Sequence, residues 1–376
     1  MRVNAAIHSN LLLRAIRAPQ EMLKFSPEDW SQFLLAARLS TLLPRLSHLA
    51  RRAGIWENLP PKVRDHMRGG EINAEFSRTR LIWETSRIAR AFFDKPERII
   101  LLKGGAYAFA DLPCAKGRVS SDIDIMVAKD HISAVEQTLK AHGWQPVKQD
   151  AYDDEYYRNW MHELPPLQHP GRGMIIDVHH TIIPLTSRLK PDAGKLIEAA
   201  TAIDDRFSVL APDDMVLHSA VHLFYDGDLS GGLRDLYDIH ELLGHFGKEA
   251  GFWDKLIARA IEQGLTRPLF YCCRYAEALL GTEIPAPFTK ALEVGSPAAL
   301  ILFLMDRLAV QALVPDSIFY PRGGRALPCF LMYLRSHWLR MPPLMLARHL
   351  GTKAYMRFKY PLTSAPVPEA NQQIDG

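Results

Sequence analysis

An α+β fold, a small sheet set between an N-terminal and a C-terminal helical unit, is what the residue pattern predicts, and three observations carry it. From about Asn10 to Asp94, apolar residues recur at three- and four-residue spacing, as in Trp30, Phe33, Leu34 and then Ala37, Leu39, Leu42. That is the period of a helix face turned to a core. The period breaks at Arg98, where Ile99 to Leu102, Ile123 to Val127 and Met174 to His179 form short apolar runs that read as strands. Beyond Pro212 the helical period returns, through Leu243 and again from Phe252 to about Leu313.

Taken in order, Ser26-Pro27 is a helix start, with Pro at the first helical position and Glu28 and Asp29 facing the positive end of the dipole. The first strand runs into Gly104-Gly105, which is expected to be a turn. After the second strand, Asp130 can cap a helix over about His131 to His142, with Gly143 placed for a left-handed C-terminal cap. Asp213 and Asp214 fall in the first turn of the next helical stretch. The tail after Tyr360 carries Pro361, Pro366 and Pro368 without periodicity and is expected to be disordered. The expected units are therefore helical over 1–95, α+β over 96–210 and helical over 211–360, followed by the tail, 361–376.

Composition excludes several classes. At 376 residues, 48% hydrophobic and 23% charged, the chain has ample material for a packed core and no signature of disorder or fibre. Its four cysteines form no CxxC pair, so reduced thiols are expected. The N-terminus shows no export signal, and no run reaches the roughly 18 apolar residues of a membrane helix. A cytoplasmic location is the expectation. The net charge of +3 does not argue for nucleic acid by itself, so any bound phosphate is expected to be held locally.

The chemistry concentrates between Leu101 and His179. Asp122 and Asp124 stand two apart on a strand, so they project from one face and repel unless a cation lies between them. Mg²⁺, with Mn²⁺ as a substitute, suits paired carboxylates plus the phosphates of a nucleotide, and two such ions can clamp the oxygens of a displacement. Gly104 and Gly105 let backbone N–H groups approach phosphate, while Lys103, Arg118, Ser120 and Ser121 could neutralise or orient it. Asp177, charged within an apolar strand, needs a partner and completes a set of three metal-binding, catalytic carboxylates. His179 shares its face, either as a direct participant or by orienting Asp177. Blander readings stand beside these: His218 and His222 have zinc-pair spacing but better fit core packing or substrate contact. Arg234, Asp235 and Asp238 read as a solvated helix face. Arg335, Arg340 and Arg348, interleaved with Trp338, could mark a membrane-surface or partner helix, but Pro342-Pro343 favours core packing.

The order Gly-Gly, then Asp-x-Asp between apolar residues, then a strand Asp resembles the polymerase-β-like nucleotidyltransferase superfamily. The Lys-Gly opening, Arg118 before Asp-Ile-Asp and the Asp-x-His strand look like its largely uncharacterised bacterial branch, most strongly over residues 98–184. Sixteen residues separate Gly105 from Asp122, longer than is common in the superfamily but tolerated in that branch. The resemblance implies a polymerase-β-like sheet and Arg234 facing the nucleotide. It also implies Mg²⁺-dependent NMP transfer from an NTP to an acceptor hydroxyl, with pyrophosphate leaving. The acceptor stays open among a sugar, an antibiotic, a peptide, a protein and RNA. Two alternatives remain beside transfer: a non-catalytic nucleotide-binding scaffold that assists a biosynthetic protein partner, and kinase-like γ-phosphoryl transfer.

Overall fold

A computed structural model of the chain describes residues 10–95, 98–147, 157–158, 160–227, 229–315, 325–347 and 351. The tail over 361–376 and Arg348 lie outside these residues. Four helices open the described chain: α1 (Leu11–Arg17), α2 (Pro27–Leu39), α3 (Leu43–Arg52) and the long α4 (Pro61–Ala91). α2 starts where the residues predict. Asp29 N–H donates to the Ser26 hydroxyl and Ser26 N–H donates to the Asp29 carboxylate, so two otherwise unpaired donors are satisfied reciprocally.

A mixed seven-stranded sheet forms the centre of this mostly helical α+β fold. Its strands are β1 (Ile99–Leu101), β2 (Asp122–Met126), β3 (Gln145–Pro146), β4 (Leu167–Gln168), β5 (Ile175–His179), β6 (Thr201–Ala202) and β7 (Phe207–Val209). They lie in the order β3-β4-β5-β2-β1-β7-β6. β2 is the middle strand, antiparallel to β1 and parallel to β5. Ile123, Ile125, Ile176 and Val178, all buried, are the inward face of that pair. One hydrophobic cluster continues from Leu12 through the sheet to Met332.

Between the strands lie α5 (Lys103–Phe109), α6 (Ile132–Ala141) and α7 (Ala193–Ala199). After the sheet come α8 (Pro212–Val221), α9 (Leu233–Phe246), α10 (Phe252–Glu262), α11 (Thr266–Tyr275), α12 (Ala286–Leu292), α13 (Ala299–Leu313) and α14 (Ala326–Arg340). Among the described residues no single helix is long and apolar enough to cross a membrane. Two local expectations are corrected. Gly104-Gly105 is not a turn: Lys103 takes a left-handed φ of 40° and swings the chain directly from β1 into α5, so the glycines are its first turn. Asp130 does not cap α6, because it sits in a preceding 3-10 turn, Lys129–His131, and His131 takes the cap position. Gly143 does adopt the left-handed φ of 94° that ends α6.

Candidate active site

Alternation along β2 turns Asp122 and Asp124 to one face, and parallel pairing sets Asp124 beside Asp177 and Asp122 beside Ile175. The three aspartates singled out by the residue pattern thus lie on one side of two neighbouring strands. The bend at Lys103 brings its side chain over the same face, where Nζ donates to Asp124 Oδ1 at 2.9 Å. His179 Nε2 stands 3.1 Å from the same oxygen. The histidine therefore serves Asp124, not Asp177, although Asp177 is nearer in sequence.

The electrostatics of Asp124 and the half-buried Asp177 diverge. Burial opposes the charge of Asp124, but the Lys103 ammonium and the His179 hydrogen bond hold its carboxyl well below the usual range. Burial likewise works against the Lys103 ammonium, and Asp124 more than reverses it, so the lysine is raised. Asp177 has no lysine or arginine paired with it among the described residues. Its Oδ1 is buried without a hydrogen-bond partner, and burial, followed by the Glu163 and Asp124 charges, pushes its carboxyl up to about 7. A face of carboxylates with one orphaned buried oxygen fits a divalent cation: Mg²⁺ takes one or two carboxylates and leaves places for phosphate and water.

Glu163 is the acidic residue that sequence reasoning missed. It pairs with His179 in an isolated β-bridge. Its Oε2 lies 3.5 Å from His179 Nδ1 and 3.9 Å from His162 Nε2. The available signal was the adjacent ionisable pair His162-Glu163, set between Trp160-Met161 and Leu164-Pro165-Pro166.

Two of the other expected phosphate contacts, Arg118 and Ser120, are committed to partners within the protein. Arg118 is buried, its Nε donating to Asp238 Oδ2 at 3.0 Å and its Nη1 to Ser120 Oγ at 2.6 Å. Ser120 is fixed further by Ser77, whose hydroxyl accepts from Ser120 N–H at 2.9 Å and donates to its carbonyl at 2.8 Å. A Cβ at Gly104 would collide with Arg118 Nη1 and Ser120 Oγ, so the glycine lets these side chains pack against the start of α5. Ser121 is exposed. Arg234 pairs with its neighbour Asp235 at 3.1 Å.

Asp238 departs from the solvated face expected for this stretch. It is 3% exposed, because α9 turns it inward between Arg118 and Arg45, to which it is ion-paired. Arg45 also donates to the Cys114 carbonyl at 2.7 Å and lies over the Tyr237 ring. His218 is buried in the core, where desolvation drives its pKa well down. Arg335 points inward and donates to the Phe224 carbonyl. The four cysteines are free thiols, as expected.

Among curated proteins no match is found. A family model described as uncharacterised nucleotidyltransferase matches residues 26–281, a span that holds the whole sheet, the carboxylate face and the Arg45–Asp238–Arg118 cluster. With well over half of its length matched, the chain belongs to the uncharacterised nucleotidyltransferase family.

Proposed function

We propose that the chain moves an NMP group from a nucleoside triphosphate to an acceptor hydroxyl, with release of pyrophosphate. The observation that carries this reading is the convergence of Asp122, Asp124 and Asp177 on one face of β2 and β5, with the buried Asp177 Oδ1 left without a donor. Two Mg²⁺ ions held by these carboxylates would supply Lewis-acid charge to the attacking and leaving oxygens. In the reaction the acceptor oxygen bonds to the α-phosphorus, and the bond from that phosphorus to the α,β-bridging oxygen breaks. The electron pair leaves with pyrophosphate.

The protein's own groups position and neutralise. Asp177 would help hold the ion that activates the acceptor and help remove the acceptor's proton. Lys103, now paired with Asp124, becomes available to phosphate once a stronger cation satisfies that carboxylate. Arg118 and Ser120 act one step back, by packing against Gly104 and fixing where α5 begins. Family membership supports transfer chemistry.

The test is incubation of purified protein with α-³²P and γ-³²P NTPs, Mg²⁺ and a cell extract. The expected result is α-label on an acceptor with pyrophosphate released, lost in Asp122→Ala. Label transferred only from the γ-phosphate would replace this reading with a kinase. Mg²⁺-dependent binding without any transfer would replace it with a non-catalytic scaffold.

A further inference from the structure

Beside the carboxylate face, two imidazoles converge on one oxygen of Glu163. His179 Nδ1 is 3.5 Å and His162 Nε2 3.9 Å from Glu163 Oε2, and the ligand atoms of the three residues all lie within 4.8 Å of one another. Both histidines are buried, at 5% and 3% exposure, and Glu163 is half-buried. We propose that His162, Glu163 and His179 form a separate site for a first-row transition-metal ion of the zinc type, joined to Asp124 through the His179 ring and with a ligand set of its own.

The geometry around His179 leads to this site. Its Nε2 stands 3.1 Å from Asp124 Oδ1. Its Nδ1, buried and with no hydrogen-bond partner among the described residues, faces Glu163 Oε2 at 3.5 Å. His162 Nε2 approaches the same oxygen at 3.9 Å. An ion set among the three atoms would meet both imidazoles and the carboxylate at once.

The donor chemistry selects the ion. Two imidazoles and one carboxylate are the ligand types of Zn²⁺ and its first-row neighbours, while Mg²⁺ prefers oxygen. Bonds of the usual length around a tetrahedral ion place ligand atoms about 3.4 Å apart, so the 3.5 and 3.9 Å contacts to Glu163 are already close to that spacing, and the two imidazole nitrogens, within 4.8 Å, would draw together on binding. The Asp124 contact supplies the usual outer support as well: a metal-binding histidine commonly donates its second N–H to a carboxylate, which fixes its tautomer and orientation. Such an ion would pin the end of β5 to the His162-Glu163 segment and, through His179, hold the orientation of Asp124. This inference goes beyond nucleotidyl transfer and does not depend on it.

The test uses the full-length protein stripped with chelator, then titrated with Zn²⁺ or Co²⁺ in a large excess of Mg²⁺. Bound metal is read by elemental analysis and by the Co²⁺ visible spectrum, with folding followed by circular dichroism. One equivalent should bind despite the Mg²⁺. Affinity should fall roughly tenfold to a hundredfold or more in His162→Ala and in Glu163→Gln, and should survive in Asp122→Asn. Failure of the wild-type protein to retain an ion would overturn the proposal, and so would unchanged affinity in a folded His162→Ala. Equal loss in Asp122→Asn would also overturn it, because the ion would then belong to the carboxylate face. The radiolabel assay reads transfer separately, so failure of either idea leaves the other standing.

Discussion

Two regions of this molecule bring charge into the interior, and they do so in opposite ways. Around Asp238, one buried carboxylate is paired with two arginines, Arg45 and Arg118, and backed by Ser120, Ser77 and the Cys114 carbonyl. On the β2–β5 face, Asp122, Asp124 and Asp177 share one lysine among the described residues, Lys103, and Asp177 Oδ1 has no hydrogen-bond partner among them. The first arrangement satisfies Asp238 and works as a brace. The second carries a deficit of positive charge, which a brace has no use for and a cation-binding site requires.

That contrast breaks most visibly under substitution of the unbalanced face. Asp124→Asn and Asp177→Asn should each lower transfer by about 10³-fold or more, because they remove metal-binding groups of the reacting centre; both should still fold, with some stability lost in Asp124→Asn as Lys103 loses its carboxylate. Label-transfer rates beside circular dichroism check this, and full activity in either variant would remove the proposed roles.

The brace should respond in the opposite sense. Asp238→Ala leaves two buried guanidinium groups without their carboxylate and should cost about 3–5 kcal/mol of stability, measured by urea unfolding. Loss of transfer in this variant should follow the loss of folded protein.

A pH series sharpens the comparison at Asp177. Its carboxyl is raised from the ordinary 3.8 to about 7, so the folded chain holds this proton more tightly than the unfolded chain does. The stabilisation is fully present below the unfolded value and is lost as pH rises through about 7. In buffer free of divalent ions, Asp177→Asn should therefore be more stable than wild type at pH 8, by on the order of 2–4 kcal/mol. The gap should close towards pH 4. Added Mg²⁺ should stabilise the wild type and have little effect on the variant.

The smallest effect concerns the seam between the two regions. Gly104→Ala places a methyl group against Arg118 Nη1 and Ser120 Oγ and should cost about 1–3 kcal/mol. Gly105→Ala, whose Cβ would meet only Leu101 at ordinary contact distance, should be nearly neutral. Thermal melts of the pair test whether the first glycine is needed for close approach or merely for the helix start.

Local pattern alone determined a good deal of this protein. The helix start at Ser26-Pro27, the three strand cores, the left-handed Gly143 and the shared face of Asp122 and Asp124 all follow from side-chain period and capping chemistry within a few residues. Asp177 was also legible, since a charge inside Ile175-Ile176-Asp177-Val178 has to be accounted for. What lay beyond reach depended on which segments meet. Asp238 reads as solvated until α9 is packed against Arg45 and Arg118, which lie 193 and 120 residues away. Glu163 and His162 join the site only because a bridge pairs Glu163 with His179. His179 serves Asp124, 55 residues distant, instead of Asp177 beside it. The physical reason is common to all three: backbone period decides which way a side chain points, but the partner it meets is set by the burial of distant apolar surface.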